Sequence, residues 1–473
     1  MAKAIVIYNA HLLDENLDAP GAVLIVDKEI RSVFQGYFTS AETVKRFAQS
    51  VLKEDGYTDC KLELHDAHGL TLTPAFIDMH VHMRYPGQTQ KEDLESGLKA
   101  AVAGGYGTVV AMPNTNPVVS SYELALQIEK EAAALGLSHL FQTVSITRDF
   151  GGEDTTHLDE IEKAHIPVIT EDGKDVLSSA KMLEGMTKAG KKEIIVSCHS
   201  EDPTLALEAK PYRQNALKIM KDVGLSAWGA DDVAGIDKTA VKQIDENLTS
   251  ANSLLALAED TATIRNIMLA KKADCHVHIA HVSTKNAIDA IREGKKTVTG
   301  EGNFDVTCEV TPHHLGLAGT EEPLIRALVN PPLRSEEDRK ALIEALKDGT
   351  ADVISTDHAP HTMDDKAAGS PGFTGLETSF AVCNTVLVKE NDLHPRMLSQ
   401  LMSANPARIL GLKKGLIKPG YDADLTILDS EEEWVVQAKD FFSRGKATPF
   451  EGKKLTGKVH EVFIDGKLVF EKA

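Results

Sequence analysis

The hydrophobic pattern of the chain has two parts. Near both ends, apolar and polar residues alternate in short runs such as AIVIYNAHLL and KVHEVFIDGKLVF, separated by turn residues. Alternation with a period of two is typical of β-strands that bury one face. Between the ends the runs become continuously apolar, as in GTVVAMP and KEIIVSCHS, and stretches with helical periodicity follow them. The pattern predicts a terminal β domain, with strands that look antiparallel, and a central region of alternating strands and helices.

The central alternation predicts the fold class. Repeated strand–helix units whose strands end in polar residues indicate a (β/α)8 barrel of the TIM type, with its site at the C-terminal ends of the strands. A doubly wound parallel sheet is the alternative. We expect residues 1–69 and 416–473 to form a small β-sandwich from both termini, and residues 70–415 to form the barrel. Residues 205–250 are charged and weakly periodic, so we interpret them as an insertion or lid, or else as surface helices.

Composition narrows the classes of function. The chain of 473 residues has 51 Lys and Arg against 71 Asp and Glu, and it has no long basic block, which argues against a nucleic-acid binder. It shows no signal-peptide pattern and no apolar run of about 18 residues or more, so we expect no membrane segment. The 5 cysteines are scattered without a CxxC pair, which fits a reducing compartment. We therefore predict a cytoplasmic protein.

The stretch FIDMHVHMRYPG places ionisable residues at every second position. In an extended strand Asp78, His80, His82 and Arg84 would share one face. Two histidines in this spacing can bind one metal ion, although the pattern alone is a weak signal. Asp78 lies deepest, and we interpret it as a barrel-core carboxylate that orients a ligand.

Other predicted strand ends strengthen the metal hypothesis. Four more candidate ligands fall where an apolar run meets a turn: Asp172, His199, His281 and Asp357. Four histidines and two carboxylates suit zinc or a similar divalent ion. Six ligands suit two ions better than one, and two close ions can hold a hydroxide at neutral pH.

Further histidines in these runs are less informative. In CHVHIAHV, alternation puts His281 on the face opposite to His276 and His278, and we chose His281 because it ends the strand. The other two are interpreted as packing or helix-facing residues. The doublet His313 and His314 in EVTPHHL is ambiguous, and we do not assign it to a metal.

Three residues suggest the kind of substrate. Arg84 cannot bind a cation, but its planar guanidinium suits a carboxylate, so we expect either a carboxylate-bearing substrate or a structural ion pair. Asn114 and Asn330 end apolar runs just before prolines. An asparagine offers both a donor and an acceptor, as an amide or ureide ring requires, although Asn-Pro turns are also common.

Nine motifs in order resemble one known family. FIDMHVHMRYPG, MPNTNP, TEDG, CHSED, AHVSTKNA, EVTPHHL, VNPPLR, STDHAPHT and GFTGLET are similar to those of type I dihydroorotases in the amidohydrolase superfamily, over residues 70 to 415. The resemblance implies a metal-dependent barrel with a terminal β-sandwich. It implies reversible closure of N-carbamoyl-L-aspartate to L-dihydroorotate in pyrimidine biosynthesis. It also suggests a homodimer and, as in some relatives, assembly with aspartate carbamoyltransferase.

The resemblance also implies residue roles. One zinc ion would be held by His80, His82, Asp172 and Asp357, and a second by Asp172, His199 and His281, with Asp172 bridging. A metal-bound hydroxide would be the nucleophile and Asp357 the general base and acid. Arg84, Asn114 and His361 would hold the substrate carboxylate. Asn330 and the backbone of Pro371 and Gly372 would contact the ring.

Two other functions within the same superfamily are alternatives to a dihydroorotase. Hydantoinases, dihydropyrimidinases and allantoinases resemble one another in bridging their metals with a carboxylated lysine, where this chain has Asp172. Arg84 also argues against them, because their rings lack its carboxylate partner. A non-catalytic partner of aspartate carbamoyltransferase should have lost metal ligands, and all six are present. The chain departs from the family at Tyr85, usually a glutamate, in the length of residues 205–250 and in the GSPGFTGLET loop.

Overall fold

The computed structural model of the chain describes residues 2–38, 40–57, 60–225, 235–319 and 328–472. The strands are β1 (Lys3–Leu13), β2 (Asp18–Val26), β3 (Glu29–Gln35), β4 (Lys61–Asp66), β5 (Thr71–Pro74), β6 (Phe76–Val81), β7 (Tyr106–Ala111), β8 (His139–Gln142), β9 (Val168–Thr170), β10 (Ile195–Cys198), β11 (His276–Ile279), β12 (Asp305–Val310), β13 (Val353–Ile354), β14 (Leu425–Val435), β15 (Lys454–Ile464) and β16 (Lys467–Glu471). The α-helices are α1 (Ala41–Glu54), α2 (Leu94–Ala103), α3 (Tyr122–Leu135), α4 (Ser179–Lys191), α5 (Pro203–Asp222), α6 (Lys238–Ala273), α7 (Lys285–Lys295), α8 (Pro312–Gly316), α9 (Glu336–Lys347), α10 (Met363–Ala367), α11 (Leu376–Cys383), α12 (Pro395–Ser399) and α13 (Asn405–Leu410). None of the described helices has both the length and the apolar character needed to cross a bilayer.

Strands β6 to β13 form a parallel barrel. They hydrogen-bond in the orders β6-β7-β8 and β13-β12-β11-β10-β9. Parallel bridges at Val144–Ile169 and Val81–His358 join the two groups and close the ring. The predicted fold class is confirmed, and the doubly wound alternative is wrong because the sheet returns to its first strand. All eight strand ends therefore open at one mouth.

The terminal strands form one sheet in the order β16-β15-β14-β5-β1-β2-β3, with β4 beside β1. Alternation along β1 gives the sheet two apolar cores: Ile5 and Ile7 pack on one side, while Val6 and Tyr8 pack on the other, under α1. The expectation of antiparallel pairing is wrong for β4 and β5, which run parallel to β1. Helix α1, which the pattern did not predict, lies between β3 and β4 and makes this crossover possible.

Helices α5 and α6 form a pair between β10 and β11. Asp202 caps α5 by accepting hydrogen bonds from the backbone of Thr204 and Leu205, and Met220 packs with Ile244 in an apolar core of the pair. The segment 205–250, interpreted as an insertion or lid, falls on this pair, with residues 226–234 outside the described residues. That interpretation and the domain boundaries stay predictions; β5 of the terminal sheet lies just beyond the boundary at residue 69.

Candidate active site

The six predicted ligands lie together at the C-terminal mouth of the barrel. Each of these residues is no more than 6% exposed. His80 lies in β6 and His82 follows it, while the others follow the ends of four more strands: Asp172 after β9, His199 after β10, His281 after β11 and Asp357 after β13. Residues far apart in the chain meet here because parallel strands of a barrel end on the same side.

Three of these residues, His80, His82 and Asp357, offer ligand atoms that all lie within 4.8 Å of one another, and Asp172 lies beside both histidines. Nε2 of His80 lies 3.2 Å from Oδ1 of Asp172 and 3.7 Å from Oδ1 of Asp357. Nε2 of His82 lies 3.2 Å from Oδ1 of Asp357 and 3.5 Å from Oδ2 of Asp172. Tetrahedral ligands about 2.0–2.2 Å from zinc stand roughly 3.3–3.6 Å from one another. The group therefore has the right size for a divalent ion.

A second group shares Asp172 with the first. Nδ1 of His199 lies 2.8 Å from Nε2 of His281. Oδ1 of Asp172 lies 3.6 Å and 3.9 Å from these two nitrogens. The same carboxylate thus faces both groups, and it is the residue best placed to join them.

Three buried polar atoms of this cluster lack a hydrogen-bond partner among the described residues. They are Nε2 of His80, Oδ1 of Asp172 and Nε2 of His199. Burial alone would raise the pKa of Asp172, but the imidazoles, His80 foremost, outweigh burial and hold this pKa well below its ordinary value. For Asp357, burial also raises the pKa, but His82, His80 and His281 together outweigh burial and lower it. Buried carboxylates beside imidazole nitrogens form a donor set that suits a divalent metal, so the residues fit such an ion.

Sequence reasoning missed Glu309, a fully buried carboxylate in β12. Its Oε1 lies 2.8 Å from Nδ1 of His80 and accepts from the backbone N–H of His281 at 3.3 Å, and its Oε2 lies 3.2 Å from Nε2 of His278. Burial raises the pKa of Glu309, but His278 and His80 outweigh it, so the group is ionised and accepts from both rings. Nε2 of His80 is then the atom free to bind a metal. His278 is therefore no packing residue, and a glutamate inside the apolar run FDVTCEV was the available signal.

Asp78 lies one step deeper than the ligands. Its carboxylate accepts hydrogen bonds from the backbone N–H of His80 at 3.0 Å, from the N–H of Thr356 at 3.1 Å and from Oγ1 of Thr356 at 2.5 Å. Burial raises its pKa to about 7. Asp78 thus ties the strand that carries His80 to the residue before Asp357.

The expectation that one extended face runs from Asp78 to Arg84 is wrong. Strand β6 ends at Val81, and Arg84 has a φ of 53°. His281 and Asp357 also have positive φ angles, 33° and 49°. The alternation argument in CHVHIAHV fails for the same reason, because β11 ends at Ile279 and His281 turns toward the same carboxylate as His278. Left-handed backbone in a non-glycine residue costs of order 1–3 kcal/mol and is typical of functional sites.

Arg84 and His361 form a pair at the mouth. Nε of Arg84 donates to the carbonyl of Pro360 at 3.1 Å, and Nη2 donates to Nε2 of His361 at 3.2 Å. Burial, with Arg84 beside it, lowers the pKa of His361 to about 3, so the ring is neutral and accepts. Burial lowers the pKa of Arg84 to about 10, which leaves it charged at neutral pH. Among the residues that the structure describes, no carboxylate forms an ion pair with Arg84.

Asn114 contacts the ligand cluster directly. Its Oδ1 lies 2.9 Å from Nδ1 of His82, and its Nδ2 donates to Oδ2 of Asp172 at 3.1 Å. Both ends of the amide are therefore engaged with predicted metal ligands. Its predicted contact with a substrate carboxylate stays a prediction, and orienting the two ligands is the role that the geometry displays.

The predicted ring-contact residues are also held by protein groups. Oδ1 of Asn330 accepts from Nη1 of Arg213 at 2.6 Å. The N–H of Gly372 donates to the carbonyl of Leu328 at 3.2 Å, and its own carbonyl accepts from Nζ of Lys366 at 2.7 Å. Pro371 lies beside Gly372 in the same loop. Arg213 and Lys366 had no place in the sequence prediction. Asn330 lies 117 residues from Arg213 in the chain, whereas Gly372 lies in the loop that follows the helix of Lys366.

Comparison with known proteins identifies the family of the chain. The family model described as "Amidohydrolase family" matches residues 71–469. The chain therefore belongs to the amidohydrolase family.

Many curated relatives of the chain are named dihydroorotase, as the motifs predict. The dihydroorotase of Clostridium botulinum (strain Eklund 17B / Type B) is 36% identical over 99% of this chain and 100% of its own length. That of Thermoanaerobacter sp. (strain X514) is 38% identical over 86% of this chain and 88% of its own length. The predicted resemblance is confirmed.

Among solved structures, the L-hydantoinase (dihydropyrimidinase) from Arthrobacter aurescens superposes with a TM-score of 0.78, covering 99% of this chain and 96% of its own, at 24% identity. At that identity the likeness shows the fold alone.

Proposed function

We propose that this chain is a zinc-dependent dihydroorotase, which closes N-carbamoyl-L-aspartate to L-dihydroorotate and reopens the ring. The carrying observation is Arg84, buried beside the ligand cluster with no carboxylate of its own among the described residues. A buried unpaired charge is costly, so such a guanidinium implies an anionic ligand. A dihydroorotate ring carries a carboxylate on the carbon next to the ring nitrogen.

The ligand cluster supplies the reactive centre. His80, His82, Asp172 and Asp357 would hold one zinc ion, and Asp172, His199 and His281 a second. Bound zinc lowers the pKa of a coordinated water and so provides a nucleophile at neutral pH. Two ions are expected because Asp172 faces both groups.

Asp357 is the proposed proton carrier. It is ionised, because His82 lowers its pKa, and it lies 3.2 Å from Nε2 of that ring at the open end of the barrel. In hydrolysis it accepts the proton of the attacking water and delivers it to the leaving ring nitrogen. In synthesis it removes the proton from the carbamoyl nitrogen before the ring closes.

The substrate is held on the side away from the barrel core. Arg84, with its neutral acceptor His361, would bind the carboxylate in a two-pronged contact. Asn330 and the loop of Pro371 and Gly372 would contact the ring amides. Asn114 is proposed to reach the carboxylate while it orients His82.

Two other functions are less well supported. A hydantoinase-type enzyme shares the fold, but its rings lack a carboxylate for Arg84, and Asp172 stands where relatives of that type bridge their metals with a carboxylated lysine. A non-catalytic dihydroorotase-like protein that associates with aspartate carbamoyltransferase is disfavoured because all six ligands meet at the mouth. A cytoplasmic location, a homodimer and assembly with aspartate carbamoyltransferase stay predictions from the sequence.

The test is a spectrophotometric assay of ring opening by the zinc-reconstituted full chain. Dihydroorotate should be hydrolysed, while dihydrouracil, the same ring without the carboxylate, should be a poor substrate. Arg84→Ala should lose most of this preference. Equal rates on both rings, or no hydrolysis of dihydroorotate, would refute the proposal.

A further inference from the structure

Arg213 links helix α5 to the predicted ring contact. Its Nη1 donates to Oδ1 of Asn330 at 2.6 Å, and its Nη2 donates to the carbonyl of Val329 at 3.1 Å. The fork of a guanidinium can make both bonds at once, whereas an ammonium group cannot hold this geometry. Helix α5 follows directly from the CHSED motif after β10, so its base is fixed at the barrel mouth.

This contact fixes which way the Asn330 amide faces. Arginine has only donors, so the atom of Asn330 that meets Nη1 must be the oxygen. The two N–H bonds of the amide then face elsewhere. No described residue accepts a hydrogen bond from them, and the side chain is partly exposed. Asn330 can therefore offer a ligand donors only, and its natural partner is a ring carbonyl.

The guanidinium of Arg213 lies close to a second cationic side chain. Its Nε is buried and has no hydrogen-bond partner among the described residues, and burial lowers its pKa to about 10. Burial, with Arg213 and Arg84 as further causes, lowers the pKa of the nearby Lys366 to about 7. Two cationic side chains, Arg213 and Arg84, thus lie near Lys366.

Lys366 ties the second ring-contact segment to the first. Its Nζ donates to the carbonyl of Gly372 at 2.7 Å and to that of Leu328 at 3.2 Å. Leu328 also accepts the N–H of Gly372. Segments 328–330 and 370–372 are therefore one connected unit, and Arg213 is its link to α5.

We infer that Arg213 is a positioning residue that turns the N–H donors of Asn330 toward the bound ring, and that it thereby selects ligands with a carbonyl at that place. The inference rests on the proposed function for the identity of the ring. It gives the α5 segment a role in recognition that does not depend on metal binding.

The variants separate positioning from general stability. Arg213→Met removes the donors, Arg213→Lys keeps the charge without the fork, and Asn330→Asp keeps the acceptor for Arg213 but turns an oxygen toward the ring. Losing an oriented hydrogen bond in a buried site corresponds to about a 10- to 100-fold loss of affinity. We expect KM for dihydroorotate to rise by that factor in Arg213→Met and Asn330→Asp, and by less in Arg213→Lys, with kcat changed by less than about threefold.

A matched control and a double variant complete the test. Lys210→Met, on an exposed position of the same helix, should behave as the wild type. In an Asn330→Ala background, Arg213→Met should add little further loss, because the amide that it positions is gone. Additive losses, or an unchanged KM in Arg213→Met, would overturn the inference.

Calorimetric binding of dihydroorotate to the zinc-loaded chain tests the role of Arg213 separately from the proposed function. A wild type that binds the ring but does not open it would refute the proposed function alone, and the affinities of the variants would still decide the role of Arg213. Weaker binding by Arg213→Met with an unchanged melting temperature supports positioning. Equal binding by both proteins, or no binding by the wild type, overturns it.

Discussion

Replacing Glu309 should weaken metal binding, although this residue would not touch the metal. Its carboxylate lies 2.8 Å from Nδ1 of His80 and 3.2 Å from Nε2 of His278, and it accepts the backbone N–H of His281 at 3.3 Å. The ionised carboxylate keeps the proton of His80 on Nδ1 and the lone pair on Nε2, where the metal would bind. The orientation of a metal ligand thus depends on a group that sequence reasoning missed.

Two substitutions of Glu309 should weaken zinc binding by different amounts. In Glu309→Gln the amide oxygen can still accept a hydrogen bond from His80, and the NH2 group faces Nε2 of His278. The ring of His278 can accept this bond by taking its other tautomer, because its Nδ1 lies 2.8 Å from the hydroxyl of Thr307 and can donate to it. Only the charge assistance is lost, and we expect about a tenfold loss of zinc affinity. Glu309→Leu leaves the ring N–H groups without acceptors at about 1–3 kcal/mol each, which predicts a loss of about 100-fold or more.

The assay is competition for zinc between the apo protein and a chromophoric chelator, with melting temperatures to verify that each variant folds. Glu293→Gln is the matched control, since this glutamate on α7 is 70% exposed. Wild-type affinity in Glu309→Leu would refute the reasoning, as would a larger loss in Glu309→Gln than in Glu309→Leu.

Four further outcomes are expected. Asp357→Asn should abolish turnover while part of the bound metal remains; full activity would contradict the proton-carrier role. Arg84→Ala should raise KM for dihydroorotate by about 10- to 100-fold with a smaller change in kcat, and an unchanged KM would contradict carboxylate binding. Removing metal with a chelator should lower the melting temperature, because a ligand that binds only the folded state stabilises it, and an unchanged value would argue against a metal. Glu461 raises the pKa of His65, so the pair stabilises the terminal sheet below about pH 6.5 and loses this effect as pH rises through the raised pKa. His65→Gln should therefore lower the melting temperature at about pH 6 more than at about pH 9. An equal loss at both pH values would contradict the pairing.

The fold was largely predictable because its signals are local. Continuous apolar runs followed by helical periods indicated the barrel, and the period of two in β1 indicated the terminal sheet. The sequence predictions failed where contacts between distant parts of the chain determine the structure. Parallel pairing of β4 with β1 depends on a crossover through α1, whose sequence lies in a stretch that the strand pattern did not distinguish.

The candidate site was predictable as a set of residues and less so as a geometry. Metal-type ligands at strand ends need only the rule that barrel strands end on one side. Alternation could not place Arg84 or His281, because the strands end before them. Glu309 and Arg213 were missed because a residue that orients another has no motif of its own. The sequence offered one signal for Glu309, its place inside the apolar run FDVTCEV, whereas Arg213 is recognisable only by its hydrogen bonds.

The three left-handed residues of the site share a physical explanation. His281 is held by the bond from its N–H to Glu309, Arg84 by the bond from its side chain to Pro360, and Asp357 by its neighbour Thr356, which is fixed to Asp78. Each position stores of order 1–3 kcal/mol of backbone strain, which persists only because such bonds over-determine it. Two buried carboxylates, Asp78 in β6 and Glu309 in β12, therefore fix the backbone at two candidate ligands, Asp357 and His281, from inside the barrel. Protein groups thus preorganise these two residues, as precise catalysis requires.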